Sequence, residues 1–236
     1  MLELGEGLRR IEAFLRQHEN EVVTLILENM ALDGDEVLEQ QLEHELTIAG
    51  LVTMLYIPTS SEKSADSSSL LWPTLGEMIT RGQRLVIMSD RRGAGPKQPW
   101  HLYIWDVAVE TPYSFFLKSD LERMAEGEGG GRQVVAESCG YNRGRQDNSL
   151  YIVNHFITNP VANAFLAETI NYDLLLRRAR ACADLQNRTV NFLTVDFWSA
   201  SDLMAAVEML NRDAAVAAAG KPSCSENRSR CMSSVL

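Results

Sequence analysis

Glu21-Val-Val-Thr-Leu-Ile-Leu-Glu28, continuing into Asn29 and Met30, is the stretch on which the fold turns. A strand with one wet face alternates apolar and polar residues, and this run does not. It therefore predicts a strand covered on both faces, as in a parallel sheet flanked by helices. The strand ends in Glu28-Asn29 rather than in a glycine-rich turn. A doubly wound nucleotide-binding sheet would need that turn directly after its first strand, so barrel-type βα units are favoured.

The neighbouring segments extend this pattern in both directions. Upstream, Leu8, Ile11, Phe14 and Leu15 recur at helical spacing until His18-Glu-Asn20 interrupts them. Downstream, Val37, Leu38, Leu42, Leu46 and Ile48 mark a helix over 35–48. Leu51-Val-Thr-Met-Leu-Tyr-Ile57 then reads as a strand stopped by Pro58. A serine-rich loop over 59–69 leads to a helix over 72–81, with Pro73 near its first turn and Gly82 closing it. Strands are expected over 84–90, 103–109, 150–156 and 190–197, and helices over 161–183 and 201–212. The alternation predicts an α/β fold, a TIM-type βα barrel showing about six of the usual eight units. One domain over 1–215 is expected, followed by a flexible polar tail over 216–236. The run Gly127-Glu-Gly-Gly-Gly-Arg132 lacks the Gly-Lys-Ser/Thr ending of a phosphate-binding loop and reads as flexible connection.

Composition narrows the function classes. The 236 residues are 45% hydrophobic and 23% charged, enough for one sizeable core. Lysine and arginine number 22 against 32 acidic residues, and the resulting charge of -10 argues against a nucleic-acid footprint. No run of about 18 apolar residues exists, so no transmembrane segment is expected, and the amino terminus has no secretory signal. The four cysteines form no Cys-x-x-Cys pair, so neither a zinc knuckle nor a thioredoxin-type site is indicated.

In a βα barrel the chemistry gathers where strands end. The polar residues there are Glu28 and Asn29, Ser89 and Asp90, Glu110 with Tyr113, Asn154 with His155, and Asp196. An acid that ends an apolar strand needs a cation, a metal or hydrogen bonds to offset its burial. Each also has a structural reading: Glu28 as a loop cap, Asp196 as an acceptor for backbone amides, and His155 as a satisfied core histidine. His18, His44 and His101 do not stand out as acids or bases.

Several ordered motifs carry more than composition does. Phe14-Leu15, the stretch from Glu21 to Asn29, Trp72-Pro-Thr-Leu-Gly-Glu-Met78 and Arg84-Leu-Val-Ile87 come first. Cys139 with Asn142-Arg143, Asn154-His-Phe156, Cys182 and Asn191-Phe-Leu-Thr-Val-Asp-Phe197 follow. In that order and at that spacing the set resembles the X domain of phosphatidylinositol-specific phospholipase C, in the PLC-like phosphodiesterase group, over about residues 8–212.

The resemblance implies a TIM-type barrel and a phosphoric diester hydrolase acting on a phosphoinositide or related phospholipid. The inositol 2-hydroxyl attacks phosphorus, and two histidines serve as base and acid. In the family those histidines lie upstream of the helix that here begins at about Leu8, and none of this chain's four histidines matches them. The chain alone is therefore expected to be inactive. The alternative is a non-catalytic PLC-like binding or scaffold protein. By the same resemblance Glu28 falls at a calcium-ligand position and Asp196 looks like the acid that orients a catalytic histidine. Asp90, Glu110 and Tyr113 lie where substrate contacts are made, while His155 is the weakest catalytic candidate. The sequence is further expected to be a fragment, an incomplete gene model or a shortened isoform of a longer secreted protein. In a secreted protein Cys139 with Cys182 and Cys224 with Cys231 would be reasonable bridges, although sequence alone leaves the pairing open.

Overall fold

The computed structural model of the protein describes residues 4–28, 36–63, 70–92, 97–113, 137–158 and 161–219. Asn29, the glycine run at 127–132, the tail from Gly220 and the pair Cys224 and Cys231 lie outside them. Parallel strands alternate with helices, so the α/β class holds. The chain divides into two compact units, residues 1–110 with 141–151 and residues 111–140 with 152–236.

In the first unit, helix α1 (Leu4–Gln17) precedes strand β1 (Val23–Leu27), helix α2 (Glu36–Ile48) and helix α3 (Leu75–Thr80). Strand β2 (Leu85–Ser89) pairs parallel with β1, placing Leu27 beside Ser89. Strand β3 (His101–Tyr103) pairs parallel with the other edge of β2. Every residue of β2 is buried whereas β1 is half-buried throughout, as expected for a central and an outer strand among the described residues. Leu8, Leu15, Leu42, Leu46, Leu85, Ile87 and Trp100 form the core between α1, α2 and the sheet. Arg84 ties this layer together, its Nη1 donating to the carbonyls of Leu15 at 2.9 Å and His18 at 3.1 Å. It thereby satisfies acceptors left over at the end of α1.

Two expected strands are replaced by helical turns. Residues 52–54 form a 3-10 turn, and only Leu55 bridges to Leu85. Leu51 and Leu55 are buried while Val52 and Thr53 are exposed, a spacing of four that suits a turn and not a strand. The expected strand over 103–109 is broken by a single turn, α4 (Ile104–Val107), which buries Ile104 and Val107 and leads into β4 (Ala108–Glu110). Strand β4 pairs antiparallel with β5 (Arg143–Gly144). The helix expected from residue 72 begins later: Thr74 caps α3 through a reciprocal box with Glu77, and Pro73 stands outside it.

Strand β6 (Leu150–Asn154) runs on into the second unit, where Ile152–Asn154 pairs parallel with β7 (Phe192–Thr194). The long helix expected over 161–183 is two helices, α5 (Ala164–Ile170) and α6 (Asp173–Gln186). They break at Asn171, whose side chain donates to the Asp196 carbonyl at 2.8 Å instead of facing solvent. Helix α7 (Leu203–Ala219) packs on α6, with Leu175, Leu176 and Ala206 at the centre. A Cys139–Cys182 disulfide anchors the segment around residue 139 to α6.

Candidate functional site

In the first unit the acids of interest cluster at the carboxyl end of the sheet. Leu27 and Ser89 are partners in the β1–β2 register, so Glu28 and Asp90 follow on neighbouring strand ends, about 5 Å apart in backbone. The Asp90 amide donates to the Leu27 carbonyl at 3.3 Å, which fixes that juxtaposition. Glu28 is exposed. Asp90 is half-buried, and its Oδ1 is buried with no hydrogen-bond partner among the described residues. No group of three metal-binding side chains gathers among the described residues. Glu28 and Asp90 are two hard oxygen donors on neighbouring strand ends, one of them with an orphaned oxygen; calcium takes six to eight such oxygens.

Glu110 is committed elsewhere. It is buried at the end of β4 and forms a close ion pair with Arg143 Nε, while Asn142 donates its backbone N–H to the Glu110 carbonyl at 2.8 Å. The Arg143 guanidinium also lies 4.3 Å from the centre of the Trp105 ring. Arg143 was legible in the Cys139-to-Arg143 motif, but its pairing with Glu110 across 33 residues was not.

The same unit holds an arrangement that sequence reasoning missed. His101 Nδ1 lies 2.6 Å from Glu39 Oε1, and its Nε2 lies 2.6 Å from Ser89 Oγ. The Glu39 and His101 side chains have no solvent exposure. Glu39 shares the buried stripe of α2 with Leu42 and Leu46, and an acid on such a stripe was the available signal.

In the second unit Asn154 ends β6 and His155 follows it, and both are buried. Asn154 Nδ2 donates to the Thr111 carbonyl at 2.9 Å, and the Asn154 backbone amide continues onto Thr111 Oγ1 at 3.0 Å. The Asn154 carbonyl accepts from Arg178 Nη1, whose neighbour Nη2 donates to Ser138 at 2.9 Å. Arg178 is fully buried.

His155 Nε2 lies 3.0 Å from the Ile170 carbonyl, an acceptor only, so Nε2 carries the proton and Nδ1 is bare. Burial, reinforced by the Arg178 charge, pushes the imidazole down to about 3 from its ordinary 6.5. Because the unfolded chain takes up this proton first, the His155 contribution to stability is complete above about pH 6.5. It is lost as the pH falls from there toward 3. Urea midpoints at pH 7 and pH 4.5 should differ in that direction, and His155→Phe should reduce the difference; an unchanged difference would contradict a buried neutral imidazole.

Asp196 follows β7, half-buried, and lines a crevice of about 10 Å³ with Phe156, Asn163 and Asn171, room for about one water. Phe197 then turns the backbone sharply at φ 48°, with the Ala200 amide closing on the Phe197 carbonyl at 2.7 Å. Tyr113 is exposed at 43%.

Parallel strands alternating with helices define this chain as an α/β protein. It belongs to the PI-PLC X family: the PI-PLC X 1 family model matches residues 3–211. The chain is 25% identical over 218 residues to PI-PLC X domain-containing protein 1 of Arthroderma benhamiae, covering 86% of this chain and 63% of that protein. It is 24% identical to an uncharacterized secreted protein of the same fungus, covering 86% of this chain and 45% of the relative. A PI-PLC X domain-containing protein of Arabidopsis thaliana is 26% identical, with 87% and 43% covered. The chain thus spans about two fifths to three fifths of the length of these curated relatives. No solved structure matches it.

Proposed function

We propose that this chain carries the acidic, supporting part of a phosphoric diester hydrolase site in a TIM-type barrel, acting on a phosphoinositide or related phospholipid. By itself it is catalytically silent. The observation that carries the second statement is the fate of its histidines. His18 and His44 are exposed on or beside helices, and His101 and His155 are buried and engaged. The two exposed imidazoles stand on or beside helices and not at a strand end, and the two buried ones are closed to a substrate, so none is placed to take a proton from an inositol hydroxyl or return one to the departing lipid oxygen; positioned acid–base groups are worth about 10²–10⁴-fold each.

In this reading Asp196 orients a histidine by accepting its ring N–H, and Tyr113 meets the headgroup. His155 is a structural residue. A calcium ion held by Glu28, with Asp90 beside it, would supply positive charge against the phosphate. The Cys139–Cys182 disulfide and the secreted relative support an extracellular setting. Among the described residues no helix is long and apolar enough to cross a membrane.

The test is direct: purified chain with phosphatidylinositol vesicles, with and without calcium, assayed for cyclic inositol phosphate. Release no faster than a buffer control is expected. Turnover in the ordinary enzyme range, about 1–10³ per second, would overturn the proposal.

A further inference from the structure

We propose that Glu39, His101 and Ser89 form a positioning relay that fixes the carboxyl end of the first unit's sheet, with the His101 ring donating outward from Nε2. The three residues join three elements: the first turns of α2, the last residue of β2 and the first residue of β3.

The direction of the relay follows from counting protons. Ser89 Oγ lies 2.6 Å from the Arg91 carbonyl oxygen, which can only accept, so the single hydroxyl proton goes there. The Arg91 amide also points at Ser89 Oγ, at 3.3 Å. Toward His101, 2.6 Å away, the hydroxyl oxygen can then only accept, and Nε2 must carry a hydrogen; the 2.6 Å contact of Nδ1 with Glu39 Oε1 holds a second one, on the ring or on the carboxyl. A histidine that activates a serine nucleophile needs the opposite arrangement, a bare Nε2 accepting from the hydroxyl. Ser89, itself fully buried, is therefore a tie and not a nucleophile.

What the tie holds is the turn from Ser89 to Arg91. That turn carries Asp90, whose amide bonds Leu27 and whose Oδ1 has no partner among the described residues. Glu39 meanwhile anchors the start of α2, the helix that follows β1 and Glu28 in the chain. The relay thus holds the turn that carries Asp90, whichever ligand that carboxylate takes, and it does not depend on the phosphodiesterase reading.

Nitrogen-15 correlation spectra of the whole chain at pH 7 decide the direction: His101 Nε2 is expected to be protonated, and a bare Nε2 would overturn the proposal. Hydrogen exchange decides the positioning role. Glu39→Ala should speed exchange at Asp90 and Arg91 about tenfold or more, Glu39→Gln should restore most of the protection, and Val86 and Ile87 should stay slow. Unchanged exchange at Asp90 and Arg91 in Glu39→Ala would overturn it. Should that variant unfold, the ring-nitrogen measurement on the unaltered chain still decides the matter.

Discussion

Replacing Cys139 and Cys182 by alanine should lower stability by about 4 kcal/mol. The bridge closes a loop across a sequence separation of 43, and the chain-entropy relation for a loop of that length gives about this value. Both cysteines are fully buried, so the pair of alanines also leaves a small void, which adds to the loss. For a chain of this size the loss corresponds to a melting temperature lower by about 8–16 °C. Reducing agent added to the unaltered protein should reproduce most of the effect. A urea midpoint indifferent to reductant would show that the second unit holds the segment around Cys139 by other contacts, of which the Gln186 bond to the Cys139 carbonyl at 2.9 Å is the first to consider.

Truncating Arg178 should cost about as much. Its guanidinium reaches the carbonyls of Asn154 and Ser138 inside the second unit. Hydrogen bonds from a charged group are worth about 1.5–3 kcal/mol each, and Arg178→Ala removes two of them and opens a cavity. Relief from burying a cation acts in the other direction, so the expected net loss is about 4 kcal/mol. Arg178→Met, which refills the volume, should recover the cavity part alone. A second readout comes from the same variants: without the neighbouring charge His155 should titrate higher than about 3. A stable Arg178→Ala protein with an unmoved His155 would remove both arguments. Because Ser138 adjoins Cys139, the losses from Arg178 and the disulfide should not add.

The strands that sequence reading located are largely apolar runs, from Val23 to Leu27, Leu85 to Ser89, Leu150 to Asn154 and Phe192 to Thr194. It failed where burial recurs every three or four residues within a short apolar run, at Leu51 and Leu55 and at Ile104 and Val107. A run of five to seven apolar residues fits either period, and tertiary packing decides. The break between α5 and α6 at Asn171 was hidden for a similar reason, since the amide's acceptor lies 25 residues away. Glu28, Asp90, Glu110 and Asp196 were legible as acids ending strands, because position along the chain is local information. Whether each is open or engaged depends on distant partners, as Arg143 is for Glu110. His101 was passed over because its partner Glu39 precedes it by 62 residues.

The antiparallel contact of β4 with β5 bears on how sequences of this kind are compared. Gly144 has φ +84°, and a Cβ built there would fall 2.1 Å from the Ala108 carbonyl oxygen. No side chain fits, whatever its chemistry. The residue beside it, Arg143, is selected on different grounds, by the Glu110 carboxylate and the Trp105 ring. Arginine followed by glycine is consequently a compound word with two unrelated meanings, one electrostatic and one purely spatial. A protein that keeps the glycine and loses the arginine has kept the strand pairing while giving up the partner of its buried acid.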